Sequence, residues 1–221
     1  MTPPSESTSD VSPRTELAGR RVAVIGMGCT GLATAEFMRD RGARVLLVDT
    51  RPAAELGPRL AAAERLGVEL RVGCRRLPSA DRFDLAVMSP GLSLEDEVIA
   101  EAARAGLPVV SEIEVASWFC SRPIVAVCGT NGKGTACTLL GDMLRLGGKR
   151  VVVAGNIGAP LIGELGRIQE SDVVVAEVSS FQLEGIERFR PHIAVLLNIT
   201  PDHLERHHTF AAYVAAKSRL F

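Results

Sequence analysis

The chain has 221 residues, 47% hydrophobic and 4% aromatic, and its 25 basic side chains nearly balance 26 acidic ones for a formal charge of -1. That balance argues against a general nucleic-acid or membrane-surface binder, and no apolar run is long enough to span a bilayer. The length allows one large domain or two modest ones. Five scattered cysteines (Cys29, Cys74, Cys120, Cys128, Cys137) lack C-x-x-C spacing. They suggest reduced thiols in a cytoplasmic protein rather than a disulfide frame or a zinc site.

Met1 to Pro13 is rich in Ser, Thr and Pro without an apolar centre, so it is no secretory signal, and residues 1–16 are expected to form a disordered tail. A short apolar strand, Arg21 to Ile25, then runs into Gly26-Met27-Gly28-Cys29-Thr30-Gly31 and a helical pattern through Leu32, Ala35, Phe37 and Met38. Gly42 ends the helix, and the strand Val45 to Val48 closes on Asp49-Thr50-Arg51. This is a βαβ unit with a G-x-G-x-x-G turn and an acidic residue after its second strand. A helix from about Ala53 to Leu66 is expected next, then strands Val68–Val72 and Leu85–Met88, the latter ending in Ser89-Pro90-Gly91. A helix around Glu95 to Ala105 and the strand Val109-Val110 complete a Rossmann-like, doubly wound domain over residues 17–111.

A second domain is expected over residues 112–221, opening with a short helix through Trp118. The apolar run Ile124 to Cys128 leads into Gly129-Thr130-Asn131-Gly132-Lys133-Gly134-Thr135, and Thr135 to Leu146 reads as a helix stopped by Gly147-Gly148. Strands follow at Val151–Val153, Val173–Glu177 and Ile193–Asn198, with the turn Gly155-Asn156-Ile157-Gly158 after the first. Near-continuous apolar strands alternating with helices imply a parallel sheet covered on both faces, an α/β domain of the P-loop NTPase type. The chain stops at Phe221 in or just after a helical stretch (Phe210 to Leu220) with no capping signal, so this domain is expected to be incomplete.

Strand, glycines, lysine and helix in register make Gly129 to Thr135 a phosphate cradle. Backbone N–H groups converge on a polyphosphate, the helix end adds partial positive charge, and Lys133 reaches the outer phosphates. The Ser or Thr that usually follows the lysine is Gly134 here, so either Thr135 holds Mg²⁺ or the metal relies on side chains elsewhere. Glu177, at the C-terminal end of a buried strand, is either a Mg²⁺ ligand or structurally paired. His203 stands just past another strand end beside Asp202 and is a candidate site residue, whereas His207 and His208 have no such context and read as surface. The G-x-G-x-x-G turn alone suggests a dinucleotide site with Asp49 on a ribose hydroxyl, or glycines that only permit close packing. Of the 25 basic residues only Lys133, Lys149 and Lys217 are lysines. In a chain that otherwise uses Arg, a retained Lys marks chemistry that Arg cannot do.

Gly129 to Thr135, Gly155 to Gly158, Glu177-Val178-Ser179-Ser180-Phe181-Gln182-Leu183-Glu184 and Asn198 to Leu204 together resemble the Mur ligases. The run Ser-Ser-Phe-Gln-Leu-Glu is similar to that of the D-glutamate-adding members. The resemblance covers nearly everything from about Leu17 to Phe221. It implies an ATP-dependent amide ligase of peptidoglycan synthesis that joins D-glutamate to UDP-N-acetylmuramoyl-L-alanine through an acyl phosphate. It places the uridine diphosphate moiety in the first domain, with Cys29, Thr30, Asp49, Thr50 and Arg51 on the uracil side and Ser89 and Gly91 toward the diphosphate. ATP falls on Gly129, Thr130, Asn131, Gly132, Lys133, Gly134 and Thr135, and Asn156, Ser179 and Gln182 contact substrate or phosphates. Lys133, Glu177, His203 and Lys217 become the catalytic set. Of two Mg²⁺ ions, Glu177 and Thr135 would hold the first, and His203 with a carbamylated Lys217 the second.

The resemblance also implies a cytoplasmic monomer without nucleic-acid or membrane partners, and a third, C-terminal domain that this chain lacks. A fragment that binds nucleotides without turnover is therefore one alternative. Gly134 departs from the ligase pattern toward the folylpolyglutamate synthases, which often carry Gly-Lys-Gly-Ser/Thr, although those enzymes ordinarily begin near the phosphate loop. A Rossmann oxidoreductase would leave the second half of the chain unexplained.

Overall fold

A computed structural model describes residues 15–221. The tail expected over residues 1–16 lies almost wholly outside the described residues. The first sheet is five parallel strands, β1 (Arg21–Ile25), β2 (Arg44–Asp49), β3 (Glu69–Val72), β4 (Leu85–Met88) and β5 (Val109–Ser111), in the order β3-β2-β1-β4-β5. Its central strands are Val-, Leu- and Ala-rich because both faces are covered. Helix α1 (Cys29–Asp40) follows β1, and α4 (Glu97–Arg104) precedes β5. The single helix expected from Ala53 to Leu66 is two, α2 (Ala53–Leu56) and α3 (Pro58–Arg65). Gly57 between them takes a positive φ of 51°, and Pro58, without an N–H, starts the new helix where that donor has no partner to lose.

The second sheet is four parallel strands, β6 (Ile124–Cys128), β7 (Val151–Gly155), β8 (Val173–Glu177) and β9 (Ile193–Leu196), in the order β7-β8-β6-β9. Helix α5 (Glu112–Phe119) enters it, α6 (Lys133–Leu146) crosses it, and α7 (Leu165–Gln169), α8 (Ser180–Glu184), α9 (Leu204–His207) and α10 (Phe210–Ser218) complete it. The fold is thus α/β with two parallel sheets. The expectation of cover on both faces fails at β9, an edge strand whose Ile193 is 56% exposed, beside exposed Leu196 and Leu197. No helix among the described residues is long and apolar enough to cross a membrane.

Each sheet changes winding direction between two neighbouring strands, β1 and β4 in the first and β6 and β8 in the second. The loops leaving such strand ends diverge and open a crevice, which is where open α/β sheets bind ligands. Those four ends carry Gly26, Ser89, Gly129 and Glu177. One hydrophobic cluster runs through both sheets, from Leu17 to Leu220. Near the junction the Phe37 and Phe119 rings meet edge to face with centroids 5.0 Å apart.

Glu112 sits at that junction, fully buried. One of its carboxylate oxygens accepts the Ile162 N–H at 2.6 Å and the other is unpartnered. Burial pushes its pKa from 4.5 up to about 7, opposed by the Ile162 N–H and the nearby Gln182 side chain, which favour the charged form. The native state therefore holds this proton more tightly than the unfolded chain. Stability from this group is fully present below about pH 4.5, falls as pH rises toward about 7, and is flat above that. The loss is on the order of 3 kcal/mol. Glu112→Gln should abolish this slope and raise the melting temperature at pH 8 but not at pH 4.5. Thermal denaturation across that range checks this, and an unaltered slope would mean Glu112 does not carry it.

Candidate active site

Every residue of β6 is buried, and the loop that leaves it is held from behind. Asn131 N–H donates to Asn198 Oδ1 at 2.9 Å, while Asn198 Nδ2 returns a bond to Asn131 O at 3.0 Å. The Thr130 hydroxyl pairs with Tyr213 at 3.0 Å and accepts from Thr200 N–H at 3.1 Å. Helix α6 begins at Lys133, two residues earlier than the expected Thr135, directly after left-handed Gly132. No side chain caps it, so the first-turn N–H groups lack intrahelical partners and the end suits an anion. Lys133 folds back on its own loop, with Nζ donating to Thr130 O at 2.8 Å.

Glu177 is 4% exposed and pairs in register with Gly155 of β7. Its Oε1 accepts from Asn156 Nδ2 at 2.8 Å. Its Oε2 faces the first turn of α6. A Cβ built on Gly134 would lie 3.2 Å from that oxygen and 2.8 Å from the Ile157 side chain. The glycine that breaks the phosphate-loop pattern is therefore the residue facing the carboxylate, and its missing side chain leaves space there. Thr135 is exposed on the same turn. Beneath it, Cys137 is buried, and burial first, then the charge of Glu177, pushes its thiol up to about 11. It is a protonated packing group, not a nucleophile.

Nine residues singled out in the sequence line one cleft of about 490 Å³ between the sheets. Cys29, Thr30, Asp49, Thr50 and Arg51 come from the ends of β1 and β2 and the start of α1. Ser89 and Gly91 come from the loop after β4, and Asn156 and Gln182 approach from the second sheet. Asp49 is buried and already engaged. It accepts from Met27 N–H at 2.7 Å and from Arg51 Nε at 2.9 Å and Nη2 at 2.7 Å. Burial alone would raise its pKa, but the hydrogen bonds of Arg51 and Met27 outweigh it and hold the carboxyl below its ordinary value. With both oxygens taken, Asp49 orients Arg51 rather than standing free for a ribose hydroxyl.

Ser179 does not line the cleft. Its hydroxyl accepts from Gln182 N–H at 3.3 Å and its own N–H donates to Gln182 Oε1 at 3.0 Å, a capping box that starts α8. His203 caps α9 in a left-handed conformation (φ 52°), its ring 4.8 Å from that of Phe181. Lys217 is buried, 2% exposed, rather than a solvated helix charge. Its Nζ donates to Gly129 O at 3.0 Å and lies 4.7 Å from the centre of the Tyr213 ring. The surface reading of His207 is wrong. It is 6% exposed, 3.0 Å from the Ser180 hydroxyl and tilted against the Tyr213 ring with centroids 5.2 Å apart, because α10 folds back over α9. His208 is exposed as expected, facing Glu95 at 3.1 Å. Among the described residues no three His, Cys, Asp or Glu side chains form a ready metal cluster.

Two family models match the chain in the order of its sheets. That of the Mur ligase MurD-like N-terminal domain matches residues 20–111, and that of the Mur ligase middle domain matches residues 127–221. The chain belongs to the Mur ligase family. Among curated Mur ligases it is similar to the UDP-N-acetylmuramoylalanine--D-glutamate ligase of Desulfosudis oleivorans, 48% identical over 206 residues that cover 93% of this chain and 45% of that protein. The like-named enzyme of Pelotomaculum thermopropionicum is also 48% identical, over 91% of this chain and 44% of its own length. The chain spans about half the length of the curated relatives it matches. The solved UDP-N-acetylmuramate:L-alanyl-gamma-D-glutamyl-meso-diaminopimelate ligase from Neisseria meningitides is 21% identical and superposes with a TM-score of 0.55, over 92% of this chain and 68% of that one. At that identity it shows the shared fold alone.

Several residues of this Mur ligase site carried no signal in the sequence. Arg59 and Pro160 line the cleft from α3 and from the turn after β7. Glu112 lies at the junction beneath the site, and its one clue was an acidic residue directly after a buried strand. Arg206, within a run of charged residues and histidines, drew no attention in the sequence, yet its side chain is only 11% exposed.

Proposed function

We propose that the chain is the nucleotide-binding part of an ATP-dependent amide ligase that joins D-glutamate to UDP-N-acetylmuramoyl-L-alanine in peptidoglycan synthesis. One observation carries the reading. Asn156 lines the cleft of the first sheet and also donates to Glu177 beside the phosphate loop, so a single side chain touches both sites. A group bound in the cleft can thus extend toward the phosphate of a nucleotide on the loop. The division at residues 17–111 and 112–221 into a UDP-binding and an ATP-binding domain belongs to the same proposal.

A carboxylate is a poor acylating agent, and transfer of a phosphoryl group to it supplies the missing leaving group. The amine of D-glutamate then attacks the carbonyl carbon of the acyl phosphate, phosphate departs with the C–O bonding pair, and the amine loses a proton. The chain's task is positioning and charge neutralisation. Lys133 would leave Thr130 O for the outer phosphates, and the uncapped end of α6 would hold the inner ones. Arg51, oriented by Asp49, and the Ser89-Gly91 loop would hold the uridine diphosphate moiety.

The residues fit one Mg²⁺, which takes few carboxylates together with phosphate oxygens. Glu177 Oε2 and the Thr135 hydroxyl would hold it, and it would neutralise phosphate charge. A second ion at His203 would need Lys217 as its carbamate, because the free amine donates and cannot coordinate while protonated.

Calorimetric titration tests the reading on this chain. UDP-N-acetylmuramoyl-L-alanine and Mg-ATP should bind independently saturable sites, and NAD(H) should not bind. NAD(H) bound in place of the uridine nucleotide would return the chain to the oxidoreductases.

A further inference from the structure

One guanidinium crosses between the two sheets. Arg206 of α9 has a side chain only 11% exposed, and its charge is neutralised within the protein. Nε lies 3.2 Å from both Glu184 carboxylate oxygens, and the group sits 4.2 Å from the centre of the Phe181 ring. Nη2 also donates to Glu184 Oε2 at 2.5 Å, and the group reaches into the first unit through Nη1 to Pro90 O at 3.0 Å and Nη2 to Leu92 O at 2.5 Å. Those two carbonyls flank Gly91, the residue with the least conformational restraint in the loop that lines the cleft. The other ends of the assembly are also site elements. Glu184 closes α8, which carries Gln182, and Arg206 N–H donates to His203 O at 3.1 Å.

Resting on the ligase reading above, we propose that Arg206 is a positioning residue for the cleft, fixing the backbone on both sides of Gly91 in the conformation that receives a diphosphate. The planar fork is what the task requires, since it meets one carboxylate and two diverging carbonyls at once. An ammonium group could pair with Glu184 but would not span both carbonyls.

The test is calorimetric titration of the chain with uridine diphosphate as cleft probe and Mg-ATP as phosphate-loop probe. Arg206→Met should weaken uridine diphosphate about tenfold, equivalent to about 1.4 kcal/mol, and leave ATP within about twofold. Arg206→Lys should stay as weak as Met, which separates loop positioning from a bare ion pair. Full recovery in the Lys variant, unchanged uridine diphosphate affinity, or an equal fall for both ligands would overturn the assignment. If the Met variant does not fold, Arg206→Lys and Glu184→Gln decide by the same comparison, Glu184→Gln losing about threefold for uridine diphosphate only. Absence of uridine diphosphate binding in the unaltered chain would instead defeat the ligase reading itself.

Discussion

Lys133→Ala is expected to lower the affinity for Mg-ATP by about 100-fold while leaving the fold intact. The lysine opens α6, and its one hydrogen bond is to a carbonyl of its own loop rather than to the core of either sheet. The loop keeps its shape through the Asn131–Asn198 pair and the Thr130–Tyr213 contact, neither of which involves the lysine. What disappears is a charge-assisted bond to phosphate, of about 1.5–3 kcal/mol each, and more than one such bond gives the expected factor. Arg is not an equivalent, because its fork is longer and planar where the loop offers room for a point charge. A melting temperature within about 2 °C of the parent, together with the affinity loss, is the expected pair of results. ATP binding unchanged in a folded variant would remove Lys133 from the site.

Gly31→Ala is the second large effect, and it acts on stability. A Cβ at this position would stand 1.7 Å from the Gly26 carbonyl oxygen, with the Ser89 hydroxyl at 3.0 Å. Neither chain segment can yield cheaply, since Gly26 continues buried β1 and α1 packs over the sheet. Overpacking against a movable side chain costs about 1–3 kcal/mol, and contact with backbone should reach the top of that range or pass it. For a chain of this size that is a fall of about 6–12 °C in melting temperature. Because the same turn lines the cleft, uridine nucleotide affinity should fall with it. A melting temperature unaffected by the substitution would mean that α1 does not approach β1 so closely.

The features legible in the sequence are those whose physics is local. β-branched runs gave the strands, and glycine-rich turns gave the loops at the strand ends. The sheet order then brought residues far apart in the chain into one cleft, because right-handed parallel winding leaves few places for such loops to meet. What stayed hidden depends on partners remote in sequence. Arg206 draws no attention until Pro90 and Leu92 are placed beside it. His207 looks like surface until α10 folds over it, and Lys217, singled out by its rarity, shows its burial only once Gly129 O is found beside its Nζ. Asp49 shows the opposite limit. Its spacing after the glycine turn suggested a ribose contact, yet Met27 and Arg51 occupy both its oxygens. Gly134 read as an anomaly by pattern and is intelligible only from the position of Glu177.

The most direct measurement for the ligase reading is ADP release by the whole protein, with the acceptor and the amino acid supplied together and singly. Release that requires both UDP-N-acetylmuramoyl-L-alanine and D-glutamate is the expected result. Release driven instead by a folate and L-glutamate, with no response to the uridine nucleotide, would contradict it.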